Sequence, residues 1–340
     1  MPNGPASSSL STTTTAMDKR IQPPGQIRDY PKPTKTGKAP FSYPKTGLEG
    51  ETYYELWGDL SSKKTPLICL HGGPGVPHNY LLPISLVNAD YDIPVIMYDQ
   101  IGCGKSTHFA DKKGDTKFWT PELFMAELDN LKSHFGIKEF DLLGQSWGGM
   151  LGGQYAITQP KGVGKLIISN SPSDMRTWVK IANRLRQDLP KDVRETLDRC
   201  ERDGKTDTEE YEEAVTYFYK LHLCRREPFP QELNDSFAFL KEDSTVYETM
   251  NGPSEFYVVG SLKEWSITEE LKEITAETLP GGLLVMNGYY DEAQDETTAP
   301  FFYNPRCRTK WVRYALSSHM PMCEETEAYV RDLGMFLTQE

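Results

Sequence analysis

With 340 residues, 38% of them hydrophobic and 25% charged, the chain has the length of one large or two modest domains and the composition of a water-soluble globular protein. Its 49 acidic and 37 basic side chains leave a net charge of −12, a field that repels phosphate backbones and argues against nucleic acid as a partner. No run of about 18 apolar residues occurs, so no membrane-spanning helix and no membrane partner are expected. Residues 1–37, rich in Ser, Thr and Pro, lack the apolar stretch of a secretory signal and read as a disordered or loosely attached leader. A strand rhythm follows. Residues 50–56 alternate through Thr52, Tyr54 and Leu56, residues 66–70 are an apolar run ending at His71-Gly72-Gly73-Pro74-Gly75, and residues 93–98 end at Asp99-Gln100 and a glycine turn, Gly102-Cys103-Gly104. Thr120 and Pro121 then predict the start of a helix that carries Leu123, Phe124, Leu128, Leu131 and Phe135 on one face. Residues 140–143 form the next short strand, 150–157 a helix and 165–169 another strand.

Short apolar strands alternating with helices predict the α/β class, with a mostly parallel sheet covered by helices on both faces. Residues 38–171 supply the first part of this core. Between residues 172 and 277 the strand rhythm gives way to charged, helix-periodic sequence, notably Tyr211, Val215, Phe218, Tyr219 and Leu223, which reads as an inserted helical cap. The alternation resumes at 282–286 and 310–315, and an amphipathic helix over 324–337 closes a second core segment, 278–340.

In such a sheet the functional loops lie at the carboxyl ends of the strands. The strand at 140–143 runs into Gly144-Gln145-Ser146-Trp147-Gly148, a Gly-x-Ser-x-Gly pattern between a strand and a helix. That context makes Ser146 a candidate nucleophile on a strained turn at a helix N-terminus. A serine nucleophile needs a base, and the base an orienting carboxylate. Only His222 and His319 follow Ser146; His222 falls inside a predicted helix, whereas His319 follows the last strand in a polar loop. The loop after 282–286 offers Asp291, Glu292 and Asp295; Asp291, nearest the strand end, is the preferred acid and Asp295 the reserve. Two backbone N–H groups must receive the oxyanion: Trp147, next to the nucleophile, and Gly73, in the upstream glycine turn. That turn lacks the lysine and serine of a phosphate-binding loop, so no nucleotide cofactor is implied. The six cysteines (Cys69, Cys103, Cys200, Cys224, Cys307 and Cys323) show no metal-ligand spacing; they fit a reduced, cytoplasmic setting and imply neither metal nor disulfides.

Five separated motifs in the right order (HGGPG at 71–75, DQxGxGxS at 99–106, GQSWGG at 144–149, GxxD at 288–291 and SH at 318–319) resemble the proline iminopeptidase family of α/β-hydrolases, from about residue 40 to the C-terminus. Within it, residues 211–219 (YEEAVTYFY) and 250–256 (MNGPSEF) are similar to the cap of the tricorn-interacting aminopeptidase and its amino-acid amidase relatives. The resemblance implies an α/β-hydrolase fold and a serine peptidase without cofactor. It also implies that two cap carboxylates, Glu213 and Glu255, bind the free α-amino group of a small peptide or aminoacyl substrate. Ile101 stands where many iminopeptidases have Arg, which loosens any implied preference for proline. Two other readings remain beside it: a small-molecule amidase, esterase or lactonase of a specialised pathway, and a non-catalytic ligand receptor on the same fold.

Overall fold

The computed structural model describes residues 21–339. Eight strands form one sheet among these residues: β1 (Lys35–Tyr43), β2 (Leu48–Trp57), β3 (Leu67–Leu70), β4 (Val95–Tyr98), β5 (Phe140–Gln145), β6 (Val163–Ser169), β7 (Gly282–Gly288) and β8 (Thr309–Tyr314). Their spatial order is β1-β2-β4-β3-β5-β6-β7-β8; β1 pairs antiparallel with β2 and β2 with β4, and all pairings from β4 to β8 are parallel. β3, β4, β5 and β7 are buried at every residue, as strands between two helical layers must be.

The helices are α1 (Leu86–Tyr91), α2 (Pro121–Phe135), α3 (Trp147–Ile157), α4 (Met175–Arg186), α5 (Lys191–Asp203), α6 (Glu209–His222), α7 (Gln231–Glu242), α8 (Thr245–Met250), α9 (Asp295–Tyr303), α10 (Pro321–Glu324) and α11 (Thr326–Thr338). Strand residues alternate between two cores. Ile68, Leu70, Ile96, Leu142, Leu166 and Val285 pack with residues of α2, α3 and α9, whereas Leu67, Cys69, Val95, Leu143, Ile167 and Leu284 face α1 and α11. α2 shows local chemistry at both ends: Thr120 caps it by accepting from the Leu123 N–H, and Gly136 closes it at φ 68°. α4 to α8 all fall between β6 and β7, and α5 and α6 share a small core of their own built on Leu197, Cys200, Tyr211 and Phe218.

Of residues 1–37, expected as a disordered or loosely attached leader, the first twenty lie outside the described ones, and residues 21–37 lie against the core. Arg28 pairs with Asp90 at 2.6 Å and Glu327 at 2.8 Å, Tyr30 donates to Glu232 at 2.8 Å, and the Pro31 carbonyl accepts from Trp57 Nε1 at 2.8 Å. The segment is poor in apolar residues because polar side chains and its own backbone tie it down. β1, which begins inside the presumed leader, is an edge strand with Ala39, Phe41 and Tyr43 facing in, and Pro40 is tolerated there.

Candidate active site

β5 delivers the chain to Ser146, which adopts φ 54° and ψ −123°, a conformation costly for any residue other than glycine. The turn closes only around small neighbours. A Cβ on Gly144 would lie 2.1 Å from the Gly148 carbonyl oxygen, and one on Gly148 would lie 2.1 Å from that of Leu70. The strain is held by the Ser146 N–H donating to the Ser169 carbonyl at 2.9 Å and by Ser171 Oγ donating to the Ser146 carbonyl at 2.7 Å. α3 starts at Trp147, whose N–H therefore has no partner four residues back in the helix.

The loops after β7 and β8 meet beside this turn. His319 Nδ1 lies 2.7 Å from Asp291 Oδ1, and both side chains are buried. Asp291 also accepts from the Ala293 N–H at 2.8 Å and from Asn170 Nδ2 at 2.5 Å, so a fixed, donor-rich cradle orients its carboxylate toward the imidazole. Asp295 instead accepts from Asn287 and pairs with Arg313, away from His319. The two loops are also joined by the last residue of α6. The His222 carbonyl accepts the N–H of Glu292 and the N–H of His319, each at 3.2 Å, and His222 Nδ1 is 2.9 Å from the Tyr290 carbonyl.

The glycine turn after β3 is anchored by His71. Burial lowers its pKa to about 4, so the ring is neutral; Nδ1 donates to the Gly72 carbonyl at 3.0 Å while Nε2 accepts the Gln100 N–H at 2.9 Å. Because a trans peptide sets C=O and N–H in opposite directions, fixing the Gly72 carbonyl on His71 turns the Gly73 N–H away from it. Gly73 itself sits at φ 108°, and a Cβ there would meet the N of Gly75 and of Val76 at 2.7 Å. Gln100 further accepts from Trp147 Nε1 at 2.9 Å, tying the DQ turn to the start of α3.

A cavity of about 560 Å³ opens among α6, α7 and α8, lined by Val76, Tyr211, Tyr219, Phe237, Tyr247 and Glu255 among others; Ser146 and His319 are not in its lining. Glu255 accepts from Tyr247 OH at 2.9 Å, and its backbone carbonyl accepts from Trp178 Nε1 at 2.7 Å; the Trp178 ring packs edge-on against His319. Glu292 is fully buried, lies 4.0 Å from His319 Nε2, and neither of its carboxylate oxygens has a hydrogen-bond partner among the described residues. Burial first, then the charges of Glu255 and Asp291, push its pKa well above the ordinary glutamate value, and burial also raises that of Glu255.

A family model described as alpha/beta hydrolase fold matches residues 65–303. The proline iminopeptidase of Heyndrickxia coagulans is 38% identical over 279 residues, covering 82% of this chain and 92% of the relative. Among solved structures, VinJ superposes with a TM-score of 0.82 at 41% identity, covering 90% of this chain and 98% of VinJ. The proline iminopeptidase of Mycobacterium smegmatis gives 0.78 at 39%, with 89% and 97% covered. The chain belongs to the proline iminopeptidase family of α/β-hydrolases. One carboxylate carried over from the likeness to proline iminopeptidases is out of place. Glu213 is exposed and does not line the cavity, because Tyr211, Ala214, Val215 and Phe218 form the inner face of α6 and Glu213 lies about 200° around the helix from Tyr211. Glu292 is the carboxylate that the structure places beside Glu255 and His319 and that reasoning from the sequence considered only as a candidate acid. Its position directly after Asp291 was the only available signal, since its meeting with Glu255 depends on how the insertion folds back over the sheet.

Proposed function

We propose that the protein is a serine hydrolase that removes the N-terminal amino acid from small peptides or aminoacyl amides. The observation that carries this reading is the buried, unpartnered Glu292 carboxylate, which shares the base's surroundings with Glu255. Two carboxylates held out of water are costly unless a cation meets them, and a free α-ammonium group is the cation such a substrate brings. Ser146 Oγ attacks the carbonyl of the N-terminal residue, His319 Nε2 takes the hydroxyl proton, and Asp291 holds the tautomer with Nδ1–H. The Gly73 and Trp147 N–H groups receive the oxyanion. His319 then protonates the departing amine, and water hydrolyses the acyl-enzyme by the reverse roles. No step asks for a cofactor. Residues 172–277 act as the cap that carries Glu255, one of the residues lining the cavity. Six free thiols, five of them buried, support a reducing, cytoplasmic location, and no helix among the described residues is long and apolar enough to cross a membrane.

The test is a panel of aminoacyl arylamides (Pro, Ala, Phe, Leu) with their N-acetyl forms. Free-amine substrates should turn over and acetylated ones should not, and Ser146→Ala should abolish turnover. Equal rates on both forms would overturn the amine-binding reading.

A further inference from the structure

Tyr80 lies in the 3-10 segment His78–Ser85, outside every motif discussed above, and it is buried, with 1% of its surface exposed. Its hydroxyl oxygen accepts the Gly72 N–H at 2.6 Å and its proton goes to Gln145 Oε1 at 2.6 Å. Gln145, also fully buried, directly precedes Ser146, and its Nε2 donates to the backbone carbonyl of His319 at 3.1 Å. The direction of each bond is forced: an amide N–H can only donate and a backbone carbonyl can only accept, so the hydroxyl and the side-chain amide between them have one satisfied arrangement. The chain Gly72, Tyr80, Gln145, His319 thus joins the glycine turn, the nucleophile's strand and the base loop. The glycine turn is wedged against it, since a Cβ on Gly72 would lie 2.9 Å from Gln145 Oε1, 3.0 Å from Tyr80 OH and 3.0 Å from Ser146 Cβ.

We infer that Tyr80 is a positioning residue for the oxyanion site: its hydroxyl holds the His71–Gly72 peptide while His71 holds the carbonyl of the Gly72–Gly73 peptide, so that together they fix Gly72 and the Gly73 N–H that follows it relative to Ser146 and His319. The inference rests on the oxyanion role assigned to Gly73 above. Tyr80 is itself placed from outside the sheet, because its N–H donates to Ser236 Oγ of α7 at 3.1 Å and its carbonyl accepts from Cys323 Sγ at 3.4 Å. Burial raises the phenol's pKa, so the hydroxyl keeps its proton through the working pH range.

The test is Tyr80→Phe, which removes one oxygen and preserves ring packing. The expected result is a fall in kcat of about 10- to 100-fold, less than for deleting an oxyanion donor outright, with KM within about twofold of wild type. Labelling of Ser146 by a fluorophosphonate probe should slow by a similar factor. That reaction needs the oxyanion donors but not the amine pocket, so it tests the inference even if aminoacyl arylamides prove not to be substrates. A folded Tyr80→Phe protein with wild-type kcat and labelling rate, or one altered in KM alone, overturns the inference. Should Tyr80→Phe not fold, Gln145→Met deprives the hydroxyl of its acceptor and carries the same expectation and the same refuting outcome. If both single variants fold, the double variant should lose no more than the worse single, because both break one chain.

Discussion

Replacing Glu292 by Gln should stabilise the protein and impair it at the same time, with opposite dependence on conditions. The side chain is fully buried, neither carboxylate oxygen has a partner among the described residues, and Glu255 and Asp291 add like charge, so the folded state binds its proton more tightly than the unfolded chain does. A carboxyl group raised in this way contributes its full stability below the unfolded pKa, near 4.5, and loses it as pH rises through the folded pKa. The loss accrues at about 1.4 kcal/mol per pH unit for one proton. Glutamine is of similar size and does not ionise. Glu292→Gln should therefore match wild type within a few tenths of a kcal/mol at pH 4.5 and gain on it steadily toward pH 8, read from urea or thermal unfolding across that range. Activity should move the other way. Losing one charged partner of the substrate ammonium removes about 1.5–3 kcal/mol, a fall in kcat/KM of roughly 10- to 150-fold, borne mainly by KM. For wild type, KM for aminoacyl arylamides should also fall as pH rises and the pair ionises, until the substrate amine itself deprotonates near pH 8. A variant destabilised at pH 8 with unchanged KM would refute both the buried-charge argument and the ammonium site.

Asp291→Asn should cut kcat by about 10⁴-fold through loss of the His319 tautomer while leaving the fold intact, whereas Asp295→Asn should stay within a few fold of wild type, both measured on the same arylamide. Gly144→Ala forces a methyl group to within 2.1 Å of the Gly148 carbonyl oxygen, and unfolding midpoints in urea should show a loss of more than about 2 kcal/mol.

What could be read from the chain alone was whatever a local pattern encodes. The elbow is legible because Gly144 and Gly148 each face a backbone carbonyl, of α3 and of β3 respectively, at a distance no Cβ can occupy. The parallel strands are legible because β3 and β4 are buried along their whole length and carry no charged or amide side chain, and β7 is apolar up to Asn287. His319 stands out in the sequence by its place after the last strand, and the structure sets its Nδ1 2.7 Å from Asp291 Oδ1. The docked arm at 21–34 was illegible because its anchors, Asp90, Glu232 and Glu327, are distant in sequence and look like ordinary surface charge. The exposure of Glu213 and the placing of Glu292 have the same origin: the phase of α6, and the meeting of Glu255 with the residue after Asp291, are set by how the insertion folds back over the sheet.

The His222 carbonyl, shared by the N–H groups of Glu292 and His319, bears on how this fold can be re-engineered. The inserted helices look like an exchangeable module, with both ends leaving the sheet between β6 and β7. Yet the last residue of α6 is a strut under both His319, the proposed base, and Glu292, the proposed amine-binding carboxylate. A chimera that swaps this region for one of different length would strip an acceptor from two buried loops and unseat the machinery it was meant to redirect. Remodelling that keeps the α6 terminus and varies only the cavity-lining side chains, such as Val215, Phe237 and Leu240, leaves that strut in place.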